Sequence, residues 1–176
     1  LEAAESLLSF PVFLRFLCSL LFNCLLSSAF SGLSPDEFMH PQFAVADSMT
    51  GGVIAAAIEV HRTMGPGLLE PIYEWCLTKE LELRGYRVTN QRVVVINYKQ
   101  FQREEPLKFD ILVGDCLLLE IKAVETVHPV HKAQLLSYMK LLNVPLGLLI
   151  NFHVMKLTDG VSRLLLPGAN LEANGL

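Results

Sequence analysis

Asp110-Ile-Leu-Val-Gly-Asp-Cys-Leu-Leu-Leu-Glu120-Ile-Lys122 is the stretch around which the chain is organised. It reads as a hairpin of two short strands, Leu107–Val113 and Cys116–Ala123, joined at Gly114-Asp115. Strand side chains alternate between faces, so Glu120 and Lys122 point one way and Ile121 the other. Two carboxylates and an ammonium are costly among Leu, Ile and Val unless they pair or hold a metal. Asp110 and Glu120 stand at about the same distance from the turn. Whether they meet depends on register, because a one-residue slip reverses a strand's faces.

On the N-terminal side of this hairpin, Gly51–Met64 reads as a helix, with Val53, Ala56, Ala57, Val60 and Met64 at helical spacing. Gly65-Pro66-Gly67 breaks it. A second helix is predicted from about Leu68 to Arg84, its buried stripe made by Leu69, Ile72, Tyr73, Cys76, Leu77 and Leu81. Gly85 ends it. Tyr86–Tyr98 holds the run Val93-Val94-Val95-Ile96 and reads as a strand, and Lys99–Pro106 as a polar turn. On the C-terminal side, Pro129 opens a helix that runs to about Asn143. Leu146–Phe152 is a short uninterrupted apolar strand, as expected for one buried on both faces. Val161–Leu166 reads as an edge strand. The order after the first helix is αβββαβ, which predicts an α/β fold with a mixed sheet and helices packed on it.

Residues 1–48 differ from the rest. Leu7–Leu26 is nearly continuous apolar sequence. It competes as a membrane span, as a secretory signal, and as an extension foreign to the fold. Glu2 and Glu5 precede it with no Lys or Arg, which disfavours a signal peptide. The reading adopted divides the chain into an apolar extension over 1–48, a domain over 49–166 and a polar tail over 167–176. The formal net charge is −4. The first 48 residues hold five acids and one Arg, and the remainder is balanced. This balance argues against a broad basic surface and leaves room for a local basic lining. Cys18, Cys24, Cys76 and Cys116 match no zinc spacing. Cys76 and Cys116 read as small buried residues in a reducing, cytoplasmic setting.

Hydrolysis of a phosphodiester with Mg²⁺ needs hard oxygen ligands and a cation near the attacking water. Asp110 and Glu120 are candidate ligands, and Lys122 a candidate for orienting water or stabilising charge. The bland alternative is a surface hairpin with an ordinary Glu–Lys pair. Gln134 and Tyr138 are four apart on one helical face, able to hydrogen-bond a ligand, a water or a phosphate, or merely to face solvent. Glu70, Tyr73 and Glu74 also share a face. Glu70 falls in a first helical turn, where it serves as a dipole partner or as a third acidic ligand. His61 closes the first helix, where a dipole partner is the bland reading and a substrate contact the functional one.

Taken in order, these motifs resemble a known family. Ala57-Ile-Glu-Val-His61-Arg-Thr-Met-Gly65-Pro-Gly67-Leu-Leu-Glu70-Pro-Ile-Tyr73-Glu74 is similar to the signature of the GxxExxY proteins, whose name-giving residues are Gly67, Glu70 and Tyr73 here. Asp110-Ile-Leu-Val, Leu119-Glu120-Ile-Lys122, Ala133-Gln134-Leu-Leu-Ser-Tyr138 and Leu146-Gly-Leu-Leu-Ile-Asn151 continue the likeness. That family is grouped with the PD-(D/E)xK nucleases, which implies a restriction-endonuclease-like fold. By the resemblance, Asp110, Glu120 and Lys122 correspond to the metal-binding and catalytic triad. Glu70 corresponds to an acid on the first core helix, and Gln134 and Tyr138 to the Gln-x-x-x-Tyr motif of the RecB-like branch. Phe109 stands where the superfamily name suggests Pro. The expected function is a Mg²⁺- or Mn²⁺-dependent nuclease acting on nucleic acid, DNA before RNA, with Tyr73 and His61 as further substrate contacts. A homodimer is compatible with this reading, as is a membrane tether if Leu7–Leu26 is a genuine anchor. The alternative is a catalytically silent nucleic-acid-binding or assembly protein on the same fold.

Overall fold

Two leucine-rich strands, each buried along its whole length, sit at the centre of the sheet. A computed structural model of the protein describes residues 39–170. The elements are α1 (Phe43–Met64), α2 (Glu70–Leu83), β1 (Val88–Tyr98), β2 (Phe101–Val113), β3 (Leu117–Lys122), α3 (Pro129–Leu142), β4 (Leu146–Asn151), a 3-10 turn (Leu157–Gly160) and β5 (Val161–Leu165). The sheet order is β1-β2-β3-β4-β5. β3 and β4 are parallel, with α3 as the crossover, and every other neighbouring pair is antiparallel. This is the expected α/β mixed sheet.

Alternation along the central strands sorts side chains into two cores. Ile111, Val113, Leu117, Leu119 and Ile121 pack with Val53, Ala56, Tyr73 and Leu77 of α1 and α2. Leu112, Leu118 and Leu149 pack with Leu135, Met139 and Leu142 of α3. Each fully buried Leu contributes about 1.5–3 kcal/mol relative to exposure. With both faces covered, β3 and β4 must be apolar throughout, so the two charges on β3 stand out.

Three expectations are corrected. The first helix begins at Phe43, not Gly51, and its early turns belong to the domain. Ala46 is fully buried, and Asp47 pairs with Arg163 on β5 at 2.6 Å. Gly51-Gly52 hid this start, since Gly is a poor helix former. Gly52 has a packing reason, because a Cβ there would collide with the Tyr86 hydroxyl. α1 is long and apolar enough to cross a membrane, and it serves as a core helix on the sheet. Second, Lys99–Pro106 is not a turn. Only Lys99 and Gln100 turn, and the strand resumes at Phe101. Gln102 to Glu105 are polar, and this part of β2 is largely exposed and pairs with β1 alone. That free side also admits Pro106. Third, the polar tail expected from residue 167 meets the domain within its described part, residues 167–170. Ala169 is buried and its carbonyl accepts the His40 N–H at 3.1 Å. The run Leu7–Leu26, with its membrane and signal readings, lies outside the described residues, as do Cys18 and Cys24.

Candidate active site

The site forms where β2 parts from β3. The two strands pair only through Ile111–Leu119, Leu112–Leu118 and Val113–Leu117. Asp110 and Glu120 would be the next partners. The register against β1 shifts at the same place. Thr89 pairs with Leu112 and Gln91 with Lys108, so Phe109, Asp110 and Ile111 lie against the single residue Asn90. Such a bulge bends a strand and re-aims its side chains. Asp110 turns into the opening, and its Oδ2 accepts the Ile121 N–H at 2.6 Å. A carboxylate has taken the place of the missing main-chain acceptor, so Asp110 sits in the seam between the strands. The register question therefore has a local answer: the bulge, not simple alternation, brings Asp110 to β3.

Glu120 and Lys122 follow on β3, 2% and 8% exposed. The Lys122 ammonium lies 2.7 Å from Glu120 Oε1 and 3.4 Å from Glu70 Oε1. It also donates to the Ile121 carbonyl at 2.9 Å. Glu70 arrives from the first turn of α2, a turn begun by Pro71 in its tolerated early position. Asn151, the β4 partner of Lys122, is buried with its amide satisfied. Its Oδ1 accepts the N–H groups of Val124 and His153, and its Nδ2 donates to the Val124 carbonyl. That clamp fixes the chain just after Lys122.

Burial pushes the Asp110 carboxyl above its usual range. The Ile121 N–H and Lys122 oppose this, and the Glu70 charge adds to it. Burial also raises Glu120, against its hydrogen bond to Lys122 and with help from the Asp110 charge. For Lys122, burial favours the neutral amine, but Glu120, Glu70 and Asp110 together outweigh it, and the group is held above its ordinary value. Glu74, one turn after Glu70, is raised by burial and by the charges of Asp110 and Glu70. The site is an ammonium kept charged among carboxylates that gain by losing charge.

An open cleft of about 340 Å³ lies beside the seam, and Asp110, Glu74, Gln134 and Tyr138 all reach its wall. A sequence profile described as the PD-(D/E)XK nuclease superfamily matches residues 47–164, two thirds of the chain. The chain belongs to the PD-(D/E)XK nuclease superfamily. No curated protein and no solved structure matches it significantly.

Within this PD-(D/E)XK domain, the structure brings together Glu70, Asp110, Glu120 and Lys122, with Gln134 and Tyr138 on the neighbouring cleft wall. It does not bring Tyr73 or His61 there as substrate contacts. Tyr73 is fully buried and stacks on Phe152 at 4.4 Å. Its hydroxyl donates to the Gly65 carbonyl at 2.6 Å and accepts the Leu68 N–H at 3.0 Å. Tyr73 closes the Gly65-Pro66-Gly67 loop and thereby sets where α2 and Glu70 begin. His61 Nε2 bonds the Val154 carbonyl at 2.8 Å, tying α1 to the segment after β4. Both are scaffold residues. The residue omitted from the expected site is Glu74; its signal was the i,i+4 spacing from Glu70 on the same helical face.

The donor set suits a hard divalent cation in one respect and not in another. Among the described residues, no group of three His, Cys, Asp or Glu side chains is placed to hold a metal. Glu70 meets Lys122 rather than completing a carboxylate trio. Asp110 and Glu120 remain, each with one oxygen that accepts no hydrogen bond from the described residues. Mg²⁺ is commonly held by one or two carboxylates, with water and substrate phosphate completing its shell. The pair fits that habit.

Proposed function

We propose that this domain is a Mg²⁺- or Mn²⁺-dependent nuclease that hydrolyses phosphodiester bonds, in DNA before RNA. The observation that supports the reading is the seam itself: Asp110 accepts the Ile121 N–H, between Glu120 and Lys122, and the Lys122 ammonium pairs with Glu120. Asp110 and Glu120 would hold the cation, which when bound supplies charge neutralisation at the phosphate and a more acidic water. Lys122 keeps its proton at Nζ, donates hydrogen bonds to a water or to a phosphate oxygen, and offsets the charge that develops there. Glu70 acts on Lys122, holding the ammonium together with Glu120. Gln134 and Tyr138 offer an amide and a phenol along the cleft to orient substrate. The GxxExxY likeness supports the same assignment, because Gly67, Glu70 and Tyr73 together shape the start of α2.

One observation favours a second reading. Lys122 pairs directly with Glu120, an arrangement that also serves as a closed structural bridge in a silent nucleic-acid-binding protein. Cleavage of plasmid and oligonucleotide substrates with Mg²⁺ or Mn²⁺ separates the two. The nuclease reading expects cleavage by the wild type and its loss in Asp110→Ala and Lys122→Ala. Activity that survives either substitution rules this site out.

A further inference from the structure

Most cations around the cleft already have carboxylate partners. Lys122 is held by Glu120 and Glu70. Arg87 and Arg92 both bind Asp115 in the β2–β3 turn. Lys108 differs from them. It is exposed, it lines the cleft, and among the described residues it has no carboxylate oxygen within 4.0 Å. It stands two residues before Asp110 on β2 and opposite Gln91 on β1. Phe109, between Lys108 and Asp110, is buried in the α3-side core and anchors the strand there.

The cleft lining thus carries both signs of charge. Glu74 and Asp110 repel a phosphodiester. Lys108 and the side-chain amides of Asn90 and Gln91, from the β1–β2 ladder, also line it. Those amides come from the place where the β1–β2 register shifts, so the irregularity that re-aims Asp110 also brings them to the cleft. An ammonium without a carboxylate partner, in a cleft that carboxylates also line, gives an anionic backbone one favourable contact before any cation is bound.

We infer that Lys108 is a phosphate-binding residue that holds the nucleic-acid backbone at the β1–β2 side of the cleft, with Asn90 and Gln91 beside it as hydrogen-bonding partners of the same strand. This rests on the nuclease reading of the neighbouring site. The test is the salt dependence of binding to labelled duplex and single-stranded DNA, read by fluorescence anisotropy in EDTA so that nothing is cut. Lys108→Ala is expected to weaken binding about 3–10-fold at low salt and to make the log–log salt slope shallower by about 0.9 for duplex, or 0.7 for single strands. Lys108→Arg should restore the slope. Lys79→Ala, whose ammonium is paired with Glu82 on α2, should match the wild type. An unchanged slope in Lys108→Ala, or an equal loss in Lys79→Ala, overturns the inference. If that happens while metal-dependent cleavage is intact, only the role of Lys108 falls. If the wild type neither binds nor cuts nucleic acid, the nuclease reading falls with it.

Discussion

The centre of the sheet and its β1–β2 arm both hold runs of large apolar residues and are treated in opposite ways. Every residue of β3 and β4 is buried. On the arm, Val93, Val95, Tyr98 and Phe101 are exposed, and Gln102 to Glu104 with them. The central strands have neighbours on both edges and helices on both faces. The arm beyond Ile111 has no third strand beside it, and one face alone, through Val94, Ile96, Leu107 and Phe109, packs on the α3-side core. The active-site candidates lie at the junction. From the centre come burial and the raised carboxyls of Asp110 and Glu120, and from the arm comes access for Asp110, because β2 leaves and a cleft opens beside it. A catalytic carboxylate needs both conditions, and the parting of two strands is an economical way to provide them.

The comparison breaks first if the centre is not where stability resides. Leu119→Ala should cost about 2–5 kcal/mol in urea unfolding, the usual range for a buried Leu. Val95→Ser should cost no more than about 0.5 kcal/mol, as an exposed substitution does. Equal losses would contradict the contrast. A cation that binds only the folded protein comes next in size. Mn²⁺ at about 100 times its dissociation constant should stabilise the fold by about 2.7 kcal/mol, seen as a rise in Tm. In Asp110→Asn that rise should vanish.

A smaller effect sharpens the electrostatic side. The Asp110 carboxyl is raised in the folded state, so the fold binds its proton more tightly than the unfolded chain does. That contribution is present below the ordinary carboxylate pKa of about 4 and is lost as pH rises through the folded value. Asp110→Asn keeps an oxygen for the Ile121 N–H and removes the charge. Without metal it should melt a few degrees above the wild type at pH 7, with the gap closing towards pH 4. Glu74→Gln should show the same sign more weakly, since Glu74 is less buried than Asp110 or Glu120 and makes no hydrogen bond to the strands. A gap that widens towards acid pH would reverse the assignment.

Much of this was legible from residue spacing. The buried runs of β3 and β4, the turn at Gly114-Asp115 and the helix opened by Pro129 all follow from local chemistry. Gly114 and Asp115 do take positive φ, 57° and 62°. The long start of α1 was not legible, because Gly51-Gly52 weakens the helical signal while its supports, Gly52 under Tyr86, buried Ala46 and the Asp47–Arg163 pair, are tertiary. The start of β2 was hidden because Phe101–Glu104 is exposed on both faces and shows no alternation, which returns only from Glu105 to Phe109. At the site, Asp110, Glu120 and Lys122 could be singled out as charges in apolar surroundings. Tyr73 could not be assigned correctly, since helical spacing places it beside Glu70 and Glu74 without revealing that its hydroxyl turns to Gly65. The bulge at Asn90 was equally invisible, as it depends on two strands and not one.

The central claim is that Asp110 and Glu120 are buried together to hold a cation next to Lys122. Mn²⁺ binding, followed by electron paramagnetic resonance of the free ion, tests this without any choice of substrate. The account predicts saturable binding that is lost in Asp110→Asn and in Glu120→Gln, is retained in Glu70→Gln, and weakens as pH falls towards the raised carboxyl values. Wild-type protein that binds no Mn²⁺, or Asp110→Asn protein that binds it as well as the wild type, would contradict the account.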